Sequence, residues 1–212
     1  MDNDVGIIIL AGGSSTRMGF PKGLLQYQNL YWIEEQMRRL NPLKSDIHIG
    51  LGFDFQLYLD ALPFLKHCQN EAMSYQNNIV QAYINPQPQE GPFSTLRFII
   101  ENLSKHYDKY IICPVDVPLP SLALLDKLLK PKDVDIVIPQ YEGKNGHPIV
   151  VSSKVIKEIL SSHYSRLDYL IKSYDTSALK YILTVEHDVT FNLNTENDWK
   201  NYLSTISHYN KF

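Results

Sequence analysis

Near the start of the chain, Gly12-Gly13-Ser14-Ser15-Thr16-Arg17-Met18-Gly19-Phe20-Pro21-Lys22 crowds glycines, hydroxyls and two cations into one short stretch. Adjacent glycines let the backbone approach a bound group closely and turn its N–H groups toward it. Arg17 and Lys22 add positive charge at the far end. The combination suits a polyanion such as a nucleoside triphosphate. It departs from the commoner phosphate and nucleophile patterns. A Walker loop needs Lys directly after its second glycine, whereas Gly19 is followed by Phe20. The dinucleotide G-x-G-x-x-G does not fit, and the G-x-S-x-G elbow fails for want of its second glycine. A plain glycine-rich strand-to-helix turn is the blander reading, but such a turn has no need of Arg17 and Lys22.

Asp116, in Pro114-Val115-Asp116-Val117-Pro118, is the best single metal candidate. A magnesium ion takes one or two carboxylates and draws its other ligands from phosphates and water. The flanking prolines predict an extended segment that pins the carboxylate at a sheet's rim. An Asp that caps the following helix or faces water fits the residues equally well. Asn194-Thr195, in Asn192-Leu193-Asn194-Thr195-Glu196-Asn197-Asp198, reads from the residues alone as the start of a helix, with Thr195 as its cap. His147, in Gly146-His147-Pro148, reads as a structural hydrogen-bonder when taken alone.

The elements that must position these residues alternate. Val5–Ala11 is the first strand, apolar on both faces as in a parallel sheet covered by helices. Residues 12–29 form the loop and its exit, and Leu30–Leu40 has helical periodicity. A short strand is expected at Ile47–Leu51, a helix interrupted near Pro63 over Phe55–Leu65, and a strand at Ile79–Ile84. Residues 66–78 are polar and carry no clear signal. A helix over Ser94–Leu103 precedes a strand at Tyr110–Cys113, and a helix over Ser121–Leu129 precedes a strand at Val134–Ile138. Beyond the loop at 143–148 come a strand at 149–151, helices at Lys154–Leu160 and Leu167–Ser173, and a strand at Leu179–Val185. A short extended piece at Phe191–Asn194 and a helix over Glu196–Ser204 follow. This alternation predicts an open, mainly parallel α/β sheet. If the first strand and Tyr110–Cys113 run parallel, the glycine loop and Asp116 emerge on one edge, where ligands of such sheets bind.

The bulk properties narrow the class. The 212 residues, 44% hydrophobic, suit one sizeable domain over 1–212. A net charge of −3 argues against a nucleic-acid polymer as partner. Cys68 and Cys113 form no C-x-x-C, so neither a disulfide framework nor a zinc site is suggested. No apolar run approaches the ~20 residues that cross a bilayer, so no membrane partner is expected. The acidic Met1-Asp2-Asn3-Asp4 does not resemble a signal peptide, which leaves the cytoplasm as the expected location.

Leu10–Lys22 resembles the signature of the MobA-like nucleotidyltransferases, L-A-[AG]-G-x-S-x-R-M-G-x-x-K, with every fixed position present. Pro114-Val115-Asp116-Val117-Pro118 is similar to that family's P-x-D-x-P, Gly146-His147-Pro148 to the G-H-P of its cytidylyltransferase-like subgroup, and Gly91-Pro92-Phe93-Ser94-Thr95-Leu96 to its base- and sugar-contacting segment. Residues 192–198 depart from the usual D-x-D-T-P-E-D, because Asn192 and Asn194 stand where the pattern has Asp.

The resemblance implies a single-domain three-layer α/β/α fold with a mostly parallel, Rossmann-like sheet of the nucleotide-diphospho-sugar transferase type. It implies a nucleotide site of Leu10, Ala11, Gly12, Gly13, Ser14, Ser15, Arg17, Lys22, Gly91, Ser94 and Thr95. For Ser94 and Thr95, a role only as the first residues of a helix stays open. Arg17, Lys22 and Asp116 would be catalytic, Asp116 with Asn194 would hold Mg2+, and His147 would bind or orient the acceptor. The reaction implied is transfer of a nucleoside monophosphate from CTP or GTP to a phosphorylated small molecule, first of all a molybdopterin-type cofactor, with release of pyrophosphate. A sugar- or polyol-phosphate nucleotidyltransferase and a non-catalytic nucleotide-binding regulator are the alternatives. The form Leu10-Ala11-Gly12-Gly13 leans toward guanylyl transfer, while the Gly-His-Pro and Gly-Pro-Phe-Ser-Thr-Leu segments lean toward cytidylyl transfer. A homodimer is compatible with all of these readings.

Overall fold

A computed structural model describes residues 4–209. In chain order the strands are Val5–Ala11 (β1), Gln26–Tyr27 (β2), Leu30–Tyr31 (β3), Asp46–Leu51 (β4), Met73–Tyr75 (β5), Asn78–Ile84 (β6), Lys109–Pro114 (β7), Ile136–Tyr141 (β8), Lys144–Asn145 (β9), Ile149–Ser152 (β10) and Leu179–Leu183 (β11). The helices are Trp32–Leu40 (α1), Phe55–Ala61 (α2), Phe64–His67 (α3), Pro92–Glu101 (α4), Leu122–Leu129 (α5), Ser153–Ser161 (α6), Leu167–Lys172 (α7) and Glu196–Tyr209 (α8).

The main sheet has the order β11-β8-β10-β7-β1-β4-β6-β5, with β9 paired to β8. β1 lies in its middle, parallel to β4 on one side and β7 on the other. Ile7 and Ile9 pack into one core with α1, α2, α3, α5 and α8. Ile8 points into the other core, beneath α4, α6 and α7. This period-two alternation between two covered faces explains why β1 has no polar side. β10 runs antiparallel to both its neighbours. It follows β8 by only residues 142–148, too short a connection to cross over and run parallel.

The alternating α/β/α arrangement expected from the sequence is present, with local differences. Leu30 and Tyr31 do not open a helix. They pair with Gln26 and Tyr27 in a small hairpin, and α1 starts at Trp32. The helix expected over Phe55–Leu65 is two helices, divided at Leu62-Pro63. The unassigned stretch 66–78 contains β5, an edge strand folded back on β6. Phe191–Asn194 forms no strand, and α8 runs on past Ser204. α8 opens with a reciprocal cap: Asp198 N–H donates to Thr195 Oγ1 at 3.2 Å, and Asp198 Oδ2 accepts from Thr195 N at 2.8 Å. Among the described residues no helix is long and apolar enough to cross a membrane.

Candidate active site

β1 and β7 are parallel, with Leu10 opposite Pro114, so the glycine loop and Asp116 leave the sheet together at its carboxyl edge. The loop is folded largely by Ser15. Its carbonyl accepts from Met18 N (2.9 Å) and Gly19 N (3.0 Å), and its hydroxyl accepts from Lys22 N (3.3 Å). Gly23 N–H donates to the hydroxyl of buried Tyr58 at 3.1 Å, which fixes the turn that carries Lys22. Burial also pushes the Tyr58 phenol up, so it stays neutral. Gly12 sits between Thr95 and the end of β4. A Cβ on Gly12 would lie 2.9 Å from Thr95 Oγ1, and one on Gly52 would lie 2.3 Å from Gly12 O.

That approach gives a direct prediction. Gly52→Ala must push the loop off the end of β4, because the clash is with backbone. Overpacking of this kind costs about 1–3 kcal/mol. A fall in urea-unfolding stability of that size, together with weakened triphosphate binding, is expected. Unchanged nucleotide affinity in Gly52→Ala would show that the loop does not depend on this contact.

Asp116 is held by its backbone. Its segment is not extended, as the flanking prolines had suggested, but a tight turn. Val117 N–H donates to Pro114 O at 3.1 Å, so Pro114 serves as the strand end that closes the turn. Val115 N–H donates to Leu10 O at 3.0 Å. From α1, Trp32 Nε1 donates to Val115 O at 2.8 Å, and Gln36 Nε2 reaches Val115 O at 3.0 Å and Val117 O at 3.3 Å. On the other side, Leu193 N–H donates to Asp116 O at 2.8 Å and carries the Asn192–Asn194 segment with it. The helix that follows this segment is seated by aromatic packing. The rings of Trp199 and Tyr202 meet Trp32 edge-on, each at 5.4 Å. Trp32 therefore references both sides of the site to one indole. The sequence reading missed Trp32 and Gln36. The signal was a glutamine on the apolar stripe Ile33, Met37 and Leu40, since a polar group buried there must find a partner.

These supports bring the charged groups together. Lys22 Nζ donates to Asp116 Oδ2 at 2.8 Å and to Asn194 Oδ1 at 2.8 Å. Arg17 is exposed, and its guanidinium reaches Asn194 Oδ1 at 3.3 Å. Asn192 donates its amide to Thr190 O at 3.1 Å. Two oxygens, one of them charged, thus converge on a single cationic point. Among the described residues no three or more His, Cys, Asp or Glu cluster to hold a metal ion. The donor set fits a hard divalent cation that takes its remaining ligands from phosphates and water, and does not fit an all-protein cage.

A cavity of about 1030 Å³ begins at this edge and runs across the sheet. Leu10, Ala11, Gly12, Gly13, Ser15 and Lys22 line one end, with Gly91 and Thr95 facing them. Asp116 and His147 line its middle. Ser14, Arg17, Ser94 and Asn194 are not on its wall. For Ser94 the helix-start role is what the structure shows. Its hydroxyl donates to Gly91 O at 2.8 Å and accepts from Asn85 Nδ2 at 2.8 Å, which leaves it turned into the start of α4. Thr95 Oγ1 also accepts from Asn85 Nδ2, at 3.0 Å, while still bordering the cavity.

The Gly146-His147 backbone is fastened by His147 N–H donating to Val189 O at 2.7 Å. His147 Nδ1 is shut off from solvent and has no hydrogen-bond partner. Burial holds the imidazole below its ordinary pKa, opposed by the nearby charge of Asp116, so the ring faces the cavity without charge. Beyond His147 the cavity is walled by apolar side chains such as Ile138, Ile149 and Leu179 and by the rings of Tyr174 and Tyr181, with Arg166, Asp168 and Lys172 from α7 and its approach also on the wall.

Comparison with known proteins places this arrangement. Residues 7–177 match the family model described as the MobA-like NTP transferase domain. A curated relative, the probable molybdenum cofactor guanylyltransferase of Carboxydothermus hydrogenoformans, is 24% identical over 95% of this chain and 96% of that protein. The fold is similar to that of Rv0371c from Mycobacterium tuberculosis in complex with manganese, with a TM-score of 0.69 at 16% identity over 95% of this chain and 98% of that one. It is also similar to molybdopterin-guanine dinucleotide biosynthesis protein A from Archaeoglobus fulgidus, with a TM-score of 0.66 at 15% identity over 96% and 99% of the two chains. With the family model spanning most of its length and the signature loop and aspartate meeting at one sheet edge, the chain belongs to the MobA-like NTP transferase family of nucleotidyltransferases.

Proposed function

We propose that this enzyme transfers GMP from GTP to a phosphorylated, molybdopterin-type acceptor and releases pyrophosphate. The observation that carries the acceptor class is the shape and chemistry of the cavity. Its wall joins the phosphate loop, Asp116 and His147 to a mixed surface of aliphatic side chains, two tyrosine rings and the charged Arg166, Asp168 and Lys172. A sugar or polyol phosphate would find polar partners in Arg166, Asp168 and Lys172 but would leave Ile138, Ile149 and Leu179 and the two tyrosine rings poorly matched. A flat heterocycle suits the aliphatic walls and the rings of Tyr174 and Tyr181, and its polar edge can meet the charged groups of Arg166, Asp168 and Lys172. Guanine as the base is supported by the Leu10-Ala11-Gly12-Gly13 form of the loop and by the name of the curated relative.

In the reaction an oxygen of the acceptor's phosphate attacks the α-phosphorus, the bond from the α-phosphorus to the bridging oxygen breaks, and pyrophosphate departs with that electron pair. The attacking oxygen is already ionised at neutral pH, so positioning and charge neutralisation suffice without a strong base. The neutral His147 fits this, since it orients the acceptor and need not take a proton. Loop N–H groups from Gly12 to Ser15 hold the phosphates, and Lys22 with Arg17 offsets the charge gathering on the leaving pyrophosphate. Asp116, with Asn194 beside it, would hold a divalent cation such as Mg2+. When bound, the cation would supply further charge neutralisation to the phosphates.

The test is a thermal-shift panel of CTP, GTP, ATP and UTP with magnesium, followed by pyrophosphate release with molybdopterin as acceptor. At ~100 times its Kd a nucleotide adds about 2.7 kcal/mol to the folded state. For a chain of this length that is a shift on the order of 5–10 °C. GTP is expected to give this shift and the other three little. A selective shift with CTP would reassign the base, and no response to any triphosphate would overturn the function. Pyrophosphate release separates an enzyme from a nucleotide-binding regulator.

A further inference from the structure

We propose that Lys22 is a placeholder cation: until a triphosphate draws its ammonium away, it occupies the point between Asp116 and Asn194 and blocks the divalent metal from binding there. The idea rests on the triphosphate reading of the loop and adds an order of assembly to it. The geometry behind it is specific. Lys22 Nζ stands 2.8 Å from Asp116 Oδ2 and 2.8 Å from Asn194 Oδ1, so it bridges the two side-chain oxygens offered to a metal. The Lys22 side chain is only 13% exposed, so it is turned into the site and not out into water.

Its backbone cannot follow a departing ligand. Lys22 N is bonded to Ser15 Oγ, Gly23 N to Tyr58, and Leu24 N to Pro21 O. Exchange must therefore take place by rotation of a flexible four-carbon stem whose compact charge suits either carboxylate or phosphate. Without nucleotide, a dication that binds Asp116 must expel an ammonium whose ion-pair partner among the described residues is Asp116 itself, and must then sit near it. With a triphosphate in the loop, the ammonium has several phosphate oxygens available, and the vacated oxygens face the same phosphates. Metal and nucleotide binding are then positively coupled, and the coupling is reciprocal.

The test uses Mn2+ as the probe on the whole chain without nucleotide, read by the electron paramagnetic resonance of free Mn2+. Lys22→Met keeps the length and apolar stem of the side chain and removes its charge. Lys22→Gln is the second variant, should the methionine fold poorly. Arg17→Ala removes a neighbouring charge while leaving the bridge in place. Wild type is expected to bind Mn2+ weakly, and Lys22→Met at least ~10-fold more tightly, because a unit charge a few ångströms from the metal is gone and both oxygens are free. Arg17→Ala should gain no more than ~2-fold, as an exposed charge is well screened. Equal Mn2+ affinity in wild type and Lys22→Met would overturn the proposal. So would a gain in Arg17→Ala as large as that in Lys22→Met, since net charge alone would then explain both. No response to any triphosphate in the panel above would remove the proposed function, whereas equal Mn2+ affinity in wild type and Lys22→Met would overturn the placeholder role alone.

Discussion

Asp116→Ala is expected to lower turnover at least ~1000-fold, the scale of removing a preorganised group that organises charge at the reacting phosphates. No other acid can stand in for it. Among the described residues no cluster of acids or imidazoles could recruit the cation elsewhere, and Asn194 alone offers a neutral oxygen. Of the other carboxylates bordering the cavity, Asp168 is paired with Arg166, and Glu90 belongs to the wall at Gly91. The fold should survive the change, because the turn is held through backbone groups. Trp32 and Gln36 bind the carbonyl of Val115, and Leu193 N binds the carbonyl of Asp116. The side chain's partner in the structure is the Lys22 ammonium, in a pair that still sees solvent and so adds only about 1 kcal/mol. A melting temperature within ~4 °C of wild type would show that the variant is folded. Asp116→Asn separates charge from shape, since the amide still bonds to Lys22 yet neutralises nothing, and it should be nearly as inactive. Initial rates of pyrophosphate release from purified variants decide the matter, and a rate for Asp116→Ala within ~10-fold of wild type is too small a loss for a group in this role.

Much of this site was legible from the chain alone, and what escaped has a physical reason. The Ile7–Leu10 run, apolar at every position, could only be a central strand, and β7 has the same character in Ile111 and Ile112. Two such strands in an α/β alternation must lie close together, which is why the glycine loop and Asp116 could be assigned to one edge. What joins that edge was less visible. The contact of Lys22 with Asn194 spans 172 residues, and no local pattern encodes it. It depends on Trp199 and Tyr202 packing against Trp32, and aromatic spacing at helical period predicts a buried face without naming its partner. The turn at Asp116 was misjudged because proline fixes its own φ but leaves open whether the next peptide closes a hydrogen bond, as Val117 N does with Pro114 O. Ser94 could be read two ways for a related reason. A hydroxyl at a helix start is as well served by the preceding carbonyl of Gly91 as by any ligand. The part of the cavity beyond His147 drew no notice because Leu167, Ile171 and Leu179 read as ordinary core positions until the packing shows that they border open space.

Lys22→Ala should lower turnover at least ~100-fold, the scale of losing one preorganised charge-stabilising donor. How that loss divides between kcat and KM tests the role assigned to the lysine. If the ammonium offsets charge that gathers on the departing pyrophosphate, the loss falls on kcat and on kcat/KM alike, while the apparent affinity for the nucleotide changes little. If it only helped to hold the triphosphate, KM would rise and kcat would stand. The first outcome is expected to dominate, because the backbone N–H groups of the Gly12–Ser15 loop keep most of the ground-state hold on the phosphates, so that losing the ammonium's own ground-state contact raises KM far less than it lowers kcat. Lys22→Arg sharpens the comparison. It keeps the charge, but the backbone at Lys22 and Gly23 is clamped by Ser15 and Tyr58, so a longer planar fork cannot be drawn back to where the compact ammonium sits. An intermediate loss of ~10-fold or more is expected for it, as for other groups displaced by about an ångström from a productive position. Arg17→Ala, which removes a cation that is exposed and touches the site only through Asn194 at 3.3 Å, should cost less than either change at Lys22. The order Lys22→Ala, then Lys22→Arg, then Arg17→Ala, from the largest loss to the smallest, follows from position. If charge alone mattered, Lys22→Arg would match wild type and the two alanine variants would be equally impaired, and rates in that pattern would refute the positional account.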